Sequence, residues 1–485
     1  MNFDLIVIGS GPGGYKAALT AAHLGAKVAL VEKALPGGTC LNQGCIPKKT
    51  LLHLATLIED VNNLQERGLA GRVQGDFHAA VAHKNAVVAG IRDNFAVWLK
   101  RLGVRVFTAE ARLLGGQRVA LRQADAGAHG AAHAGVPHTI QAARIILATG
   151  SAPRRLETCP TDGGCILNSR DFMLQLTQLP ESVLCIGGGA IGVELAFLLH
   201  QFGSRVCIVE QRSRLLDRPR IPERASAMLE RKFARIGIEV RKNATLSGYV
   251  ATRDGVRANL SDGYSGTFEK ILVAVGRQPG IDGLGLSEAG VAVSSEGFVQ
   301  VSEYLETSAA GIYAVGDVKP GPMTANAALH DAKIAAANAI TGNLVRANYH
   351  KVPVVIDSAL EIAAVGLTED LAAAAGFEAD VALSSLGGSG KARAHHDYEG
   401  YTEVVHDAET GQLLGGCIVG PEAGERIHML AAACHSERGM WFLRDLSYSH
   451  PSWCEELETA VDPYAAALAR SEKTIFPPGI FAGQR

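Results

Sequence analysis

Two cysteines, Cys40 and Cys45, stand with four residues between them in the segment GGTCLNQGCIPKK, residues 37–49. Three kinds of chemistry suit such a pair: metal ligation, a structural staple, or a dithiol that carries electrons. A zinc site needs two further Cys or His ligands at short spacing, and none flank this pair, so no metal is expected. A disulfide closing so small a loop restricts the unfolded chain by only about 2 kcal/mol. A redox dithiol fits better, because thiols this close reclose readily and exchange by thiolate attack.

What could stand beside the dithiol is written in an internal repeat. DLIVIGSGPGGYKAALTAAHLGAKVALVEK near the start and SVLCIGGGAIGVELAFLLHQFGSRVCIVEQ near the middle share one pattern. Each reads as an apolar strand, a Gly-x-Gly-x-x-Gly turn, an apolar-periodic helix and a second strand ending in glutamate. The turns are Gly9, Gly11 and Gly14, and Gly187, Gly189 and Gly192; Glu32 and Glu210 each follow 23 residues after the first glycine of their unit. The first glycine allows the tight turn, the second lets a pyrophosphate approach the backbone, and the third lets helix pack on strand. The helix N-terminus turns its partial positive charge toward the phosphates, and the glutamate can accept from a ribose 2′-hydroxyl. Two complete units with matched acids predict two bound dinucleotides.

The rest of the chain must position these groups. At 485 residues, with a net charge of −3 and 47% hydrophobic residues, it has ample core for several domains. No basic block points to nucleic acid or to a charged membrane surface. The longest apolar segment, VLCIGGGAIGVELAFLLH, contains three consecutive glycines and Glu194, and reads as strand, turn and helix, not as a membrane span. The sequence opens on the strand-like FDLIVIG without a charged leader, and its nine cysteines lack a framework rhythm. A reducing cytoplasm is therefore the expected compartment.

Residues 51–100 read as two helices. The Gly/Ala/His-rich stretch 123–137 reads as a hairpin loop, and the tail KTIFPPGIFAGQR as a docked extended segment. RIILATGS, ILVAVGRQPG and TSAAGIYAVGD read as buried strands that run into glycine turns. From about residue 349 the fingerprints stop, and strands such as EIAAVG, YTEVVHD and LLGGCIVG alternate with helices in an α+β pattern.

Taken together, GSGPGGY, VEK, GGTCLNQGCIPKK, ATGS, GGGAIGVELA, VAVGRQP, GIYAVGD and SHPSWCEE resemble the flavoprotein disulfide reductases, and among them the dihydrolipoamide dehydrogenases, over nearly the whole chain. The resemblance implies an α/β protein with two Rossmann-like domains, one for FAD and one for NAD, plus a C-terminal α+β dimerisation domain. The implied division is 1–150 for FAD, 151–277 for NAD, 278–347 for the second part of the FAD unit, and 348–485 for the interface domain. It further implies that Cys40 is the interchange thiol and that Cys45 faces the flavin. Lys49 would lie near the flavin ring with Glu194 as its partner, and Asp317 would hold the ribityl chain. Thr149, Gly150 and Gly276 fall at cofactor-contacting positions. His450 and Glu455 match the family's His-Pro base and its orienting carboxylate. A thiol near pKa 8.5 is a poor nucleophile at neutral pH, so a base in the imidazole range suits the reaction. The family supplies that base from the other subunit, which implies a homodimer acting on a lipoyl-carrying protein, either a 2-oxo acid complex subunit or a dedicated lipoate-binding protein.

The match has departures. Lys48 precedes Lys49 where the family usually has serine, Asn326 replaces a histidine, and Ser358-Ala359-Leu360-Glu361 lacks the usual proline. Cys417 stands for a histidine and Cys454 for a serine. An NADPH-dependent reductase of a soluble disulfide such as glutathione is the nearest alternative. Lys48-Lys49, Arg212 and Arg214 favour it, whereas Glu210 opposes it by repelling a 2′-phosphate. A non-catalytic redox-sensing flavoprotein is a third reading, and the intact dithiol, His450 and Glu455 oppose it.

Overall fold

Strands β1 (Asn2–Ile8) and β2 (Val28–Glu32) are near-continuous apolar runs because, as parallel strands, they are covered on both faces. Between them helix α1 (Pro12–His23) begins after Gly11 with proline in its first turn, and buries Ala17, Ala18 and Ala21. Helices α2 (Gly38–Gln43), α3 (Cys45–Asn63) and α4 (Phe77–Arg101) follow. Asp76 caps α4, accepting from the Ala79 amide at 3.0 Å. The two helices expected between 51 and 100 are α3 and α4, with α3 beginning earlier because the irregular backbone at Gly44 divides it from α2. Strands β3 (Arg105–Leu113), β4 (Arg118–Gln123) and β5 (Thr139–Leu147) follow in the first unit. This computed structural model describes residues 1–65, 67–123, 137–253 and 255–470. The expected hairpin tip within 123–137 and the docked tail at 473–485 lie outside the described residues.

The second unit runs through β6 (Ser151–Pro153), β7 (Ile166–Asn168), α5 (Ser169–Gln175), β8 (Ser182–Ile186), α6 (Ala190–Phe202), β9 (Arg205–Glu210), α7 (Glu223–Ile236) and β10 (Glu239–Lys242). A meander of β11 (Leu246–Thr252), β12 (Gly255–Leu260) and β13 (Ser265–Phe268) leads into β14 (Lys270–Val273) and β15 (Arg277–Pro279). The chain then returns to the first unit through β16 (Ile312–Ala314) and α8 (Ala325–Thr341), whose alanines pack on those of α1. The two parallel sheets have the same plan. β1 lies between β2 and β5, with β3 beyond β2 and β16 beyond β5; β8 lies between β9 and β14, with β10 and β7 outermost. β4, antiparallel to both β3 and β5, is matched in the second unit by the meander. Where the chain leaves and re-enters the first unit, β6 and β15 pair antiparallel, Arg277 opposite Pro153.

The third unit comprises β17 (Val354–Asp357), β18 (Glu361–Gly366), α9 (Glu369–Ala374), β19 (Ala379–Ser385), α10 (Gly390–His395), β20 (Tyr401–Asp407), β21 (Leu413–Val419), α11 (Ala423–Ala433), α12 (Met440–Arg444) and α13 (Glu455–Arg470). Its antiparallel sheet has the order β17-β18-β21-β20-β19. Helices α11 and α13 cover one face through Leu430, Leu457 and Val461. Ile356, Ile362 and Val419 join a different core, shared with Leu51, Leu52 and Ala55 of α3 and Phe197 and Phe202 of α6. Helix α3 is thus wedged among all three units. Among the described residues, no helix is long and apolar enough to cross a membrane.

Candidate active site

The two glycine turns are near copies in detail. Gly9 and Gly187 sit at φ +100° and +108°, where a side chain would be strained, and a Cβ on Gly14 or Gly192 would lie 1.8 or 1.9 Å from the carbonyl oxygen of Gly9 or Gly187. In contrast, a Cβ on Gly11 or Gly189 would meet nothing within 4 Å. Each turn therefore closes its own backbone and leaves open space where a pyrophosphate would lie. The acids are tied alike. Glu32 accepts from the Ser10 amide at 2.8 Å and the Ala34 amide at 2.8 Å; Glu210 accepts from the Gly188 amide at 2.7 Å and the Arg212 amide at 2.8 Å. Both carboxylates keep acceptor capacity to spare, which a ribose hydroxyl could use.

Further residues fit FAD in the first unit. Thr149 Oγ1 and Asn42 Oδ1 are buried without a hydrogen-bond partner, which a bound polar group would satisfy. Gly150 turns the chain at φ +69° and Gly276 at φ +114°, bracketing the β6–β15 crossing. Asp317 accepts from Ser151 Oγ at 2.5 Å, and Arg277 donates to the same hydroxyl at 2.7 Å and to the Ser151 carbonyl at 2.8 Å. Behind Asp317 lies a cluster the sequence reading missed. Asp331 takes the Gly316 amide at 3.0 Å, the Tyr349 hydroxyl at 2.6 Å and the Lys319 ammonium at 3.0 Å, with both ionic side chains buried. That network fixes the turn that presents Asp317.

In the second unit the arginines that could favour a 2′-phosphate are engaged. Arg212 and Arg214 both pair with Asp217, at 2.9 and 3.0 Å, and Arg214 also donates to Ser226 Oγ at 2.9 Å.

The dithiol sits at the junction of α2 and α3. Cys40 lies within α2, and Cys45 is the first residue of α3; both are free thiols. Hydrogen bonding from the Cys40 thiol, helped by the nearby Lys48 cation against the cost of burial, lowers Cys45 to about 7. The same hydrogen bond, with burial, pushes Cys40 upward. Cys45 is therefore the thiolate of the pair, favoured further by the positive end of its helix. Tyr15 of α1 flanks the pair; burial and then the two sulfurs raise its phenol.

The lysine beside the dithiol is Lys48, which corrects the expectation for Lys49. Lys48 forms an ion pair with Glu194, which is 1% exposed, while Lys49 pairs with Asp357 at 2.6 Å and is half exposed. Helical phase explains the exchange: Lys48 turns inward to α6, and Lys49, about 100° further round, turns to β17. Burial pulls Lys48 down, but the Glu194 carboxylate outweighs it and holds the ammonium protonated.

His450 and Glu455 meet as expected. His450 Nδ1 lies 2.7 Å from Glu455 Oε1, and Glu455 Oε2 accepts from the Ser452 amide at 2.5 Å. That amide, then the histidine, lowers the Glu455 carboxyl. The His450 ring is 80% exposed, and among the described residues no hydrogen bond links it to a cysteine of its own chain.

The departures have local roles. Asn326 donates to the Pro353 carbonyl at 2.5 Å, and Ser358 Oγ to the Val193 carbonyl at 2.9 Å, each fastening the third unit to one of the others. Cys417 lies in the core beneath the Tyr401 hydroxyl, at 3.9 Å. Cys454 is half-buried beside Arg426.

Residues 3–332 match the family described as pyridine nucleotide-disulphide oxidoreductase, and residues 352–461 match the dimerisation domain of that family. A dihydrolipoyl dehydrogenase of Chlorobaculum parvum is 39% identical over 467 residues, covering 95% of this chain and 96% of the relative. One of Thermus scotoductus is 37% identical, covering 95% and 97%. Among solved structures, LpdA of Mycobacterium tuberculosis superposes with a TM-score of 0.87 at 25% identity, covering 95% of this chain and 99% of that one. The flavoprotein disulfide reductase RclA of Escherichia coli superposes at 0.82 with 26% identity, covering 96% and 99%. The chain belongs to the pyridine nucleotide-disulphide oxidoreductase family and is an enzyme that uses FAD and NAD.

Proposed function

We propose that this member of the family reoxidises a protein-bound dihydrolipoyl group to lipoyl, with NAD⁺ as final acceptor, in the cytoplasm. The observation that carries the reading is the asymmetric dithiol, with Cys45 lowered toward the thiolate, on helices that abut the first glycine turn through Gly38 and reach Glu194, just past the second, through Lys48.

In the oxidised enzyme Cys40 and Cys45 share a disulfide. A substrate thiolate attacks the Cys40 sulfur; the new S–S bond forms as the Cys40–Cys45 bond breaks, and Cys45 leaves as thiolate. The second substrate thiol then gives its proton to an imidazole and attacks the substrate sulfur of that mixed disulfide. Cyclic lipoyl disulfide is released, with Cys40 as leaving group. The imidazole is His450 of the partner subunit, whose ring Glu455 orients and stabilises when protonated. Lys48, paired with Glu194, would link the thiolate to the nicotinamide pocket. Gly9, Gly11, Gly14, Glu32, Thr149, Gly150, Gly276 and Asp317 hold FAD; Gly187, Gly189, Gly192 and Glu210 hold NAD. FAD bound by these residues would supply a two-electron carrier between the dithiol and NAD⁺.

The glutathione alternative loses its support in this geometry. Lys48 and Lys49 are both paired within the chain, and so are Arg212 and Arg214. A substrate panel tests the reading: dihydrolipoamide, free and carrier-bound, with NAD⁺, against glutathione disulfide with NADPH. Lipoyl turnover with preference for the carrier-bound form is expected. Robust glutathione reduction without lipoyl turnover would reverse the assignment.

A further inference from the structure

Cys45 opens α3, so residues three and four positions on are both its neighbours on the helix surface. Lys48 and Lys49 occupy those two positions, and either could serve the sulfur. Their partners separate them. Lys48 is mostly buried and paired with Glu194, while Lys49 is drawn to Asp357 at 2.6 Å. Asp357 acts on Glu194 as well: its backbone N–H donates to Glu194 Oε1 at 3.2 Å, opposite the oxygen that takes Lys48. The four charges thus alternate across three units, from α3 to α6 and from α3 to β17. Among the described residues, Cys40 of α2, Tyr15 of α1 and Arg277 of β15 also act on or feel Cys45.

We propose that Asp357 is a positioning residue that keeps Lys48 as the cation between Cys45 and Glu194, by drawing Lys49 away and by donating its backbone N–H to Glu194. One ammonium then serves two anions, the Cys45 thiolate and the Glu194 carboxylate. A thiolate at Cys45 competes with Glu194 for it, so the charge state of the dithiol is felt at the carboxylate of the nicotinamide side. Without Asp357, Lys49 loses the partner that draws it toward β17 and is free to compete for Glu194, which Asp357 also contacts. The assignment rests on the flavin–dithiol reading given above.

The test uses full-length, FAD-loaded enzyme reduced by two electrons, with the long-wavelength thiolate-to-flavin absorbance titrated against pH. Lys48→Met is expected to raise the midpoint by about 1 to 2 pH units, the loss of one close cation, while Lys49→Met moves it by less than about 0.3. The double variant Lys48→Met/Asp357→Asn is expected to recover at least about half of that rise, because Lys49 takes the vacant role. An equal or larger shift in Lys49→Met, or a double variant that stays at the Lys48→Met value, would overturn the proposal. Should Lys48→Met fail to retain FAD, Asp357→Asn alone decides. Two lysines then serve Glu194 and the midpoint falls; an unchanged midpoint refutes the role of Asp357. A wild-type enzyme that lacks the band removes the flavin–dithiol reading and this assignment together, whereas a band indifferent to Lys48 removes the assignment alone.

Discussion

At the scale of residues, the site is a set of acids and bases whose neighbours have already decided their roles. Cys45 is lowered to about 7, so its thiolate is present above that pH and is lost as pH falls through it. The long-wavelength band of the two-electron-reduced enzyme should accordingly fade on acidification with a midpoint near that value, and a band unchanged down to pH 5 would show that Cys45 is not its source. Replacing His450 by glutamine removes the proton acceptor and should slow turnover by roughly 10² to 10⁴ with FAD retained. Glu455→Gln should cost less, since the imidazole remains and loses only its anionic partner; steady-state rates of both variants check the order. Glu210, with Arg212 and Arg214 engaged by Asp217, should favour NAD over NADP by at least about tenfold, or about 1.4 kcal/mol. Kinetics with both cofactors measure it, and an inverted preference would mean that Arg212 leaves Asp217 for the phosphate.

Secondary-structure elements place those residues, and here the two glycine turns make separable predictions. A methyl on Gly192 would meet the Gly187 carbonyl oxygen at 1.9 Å, so Gly192→Ala must push α6 off β8 and should lower the melting temperature. A methyl on Gly189 meets only open space, so Gly189→Ala should leave the melting temperature near wild type while weakening NAD binding. Equal effects of the two on melting would mean that the turn does not close as described. These turns were legible in the sequence because backbone sterics permit so few residues there, and the acid 23 positions on follows from helix and strand lengths. The His450–Glu455 pair was legible only through the family resemblance, which the short separation of the two residues made easy to match. The choice between Lys48 and Lys49 was not legible, since both flank Cys45 on α3 and the deciding partners, Glu194 and Asp357, are 146 and 308 residues away. Asp331 was missed likewise: nothing near it in the chain marks it as the anchor of Gly316, Lys319 and Tyr349.

For the whole molecule, the proposal that His450 serves the dithiol of a second copy of the chain is consistent with the matched dimerisation domain and with the exposure of His450. Mixing two inactive variants, His450→Gln and Cys45→Ser, under conditions of subunit exchange tests this. If the base acts in trans, one of the two sites in each mixed dimer pairs an intact dithiol with an intact imidazole, and activity returns toward half the wild-type value per mixed dimer. If the base acts within its own chain, both sites stay broken. The same outlook bears on helix α3. One end of it carries Cys45 and Lys48, and its flank supplies Leu51, Leu52, Ala55 and Ile58 to a core shared with Phe197, Phe202 and Phe233 of the second unit and Ile356 and Val419 of the third. The nucleotide-binding units look modular in topology, yet they are not interchangeable cassettes. A fragment cut at 151 and 277 would leave those phenylalanines uncovered, and grafting the second unit of a relative would require regrafting the buried flank of α3 with it. Exchange of cofactor preference by transplanting a whole unit should therefore fail in this scaffold, whereas substitutions confined to the strand-end acid and its neighbouring arginines leave the shared core untouched.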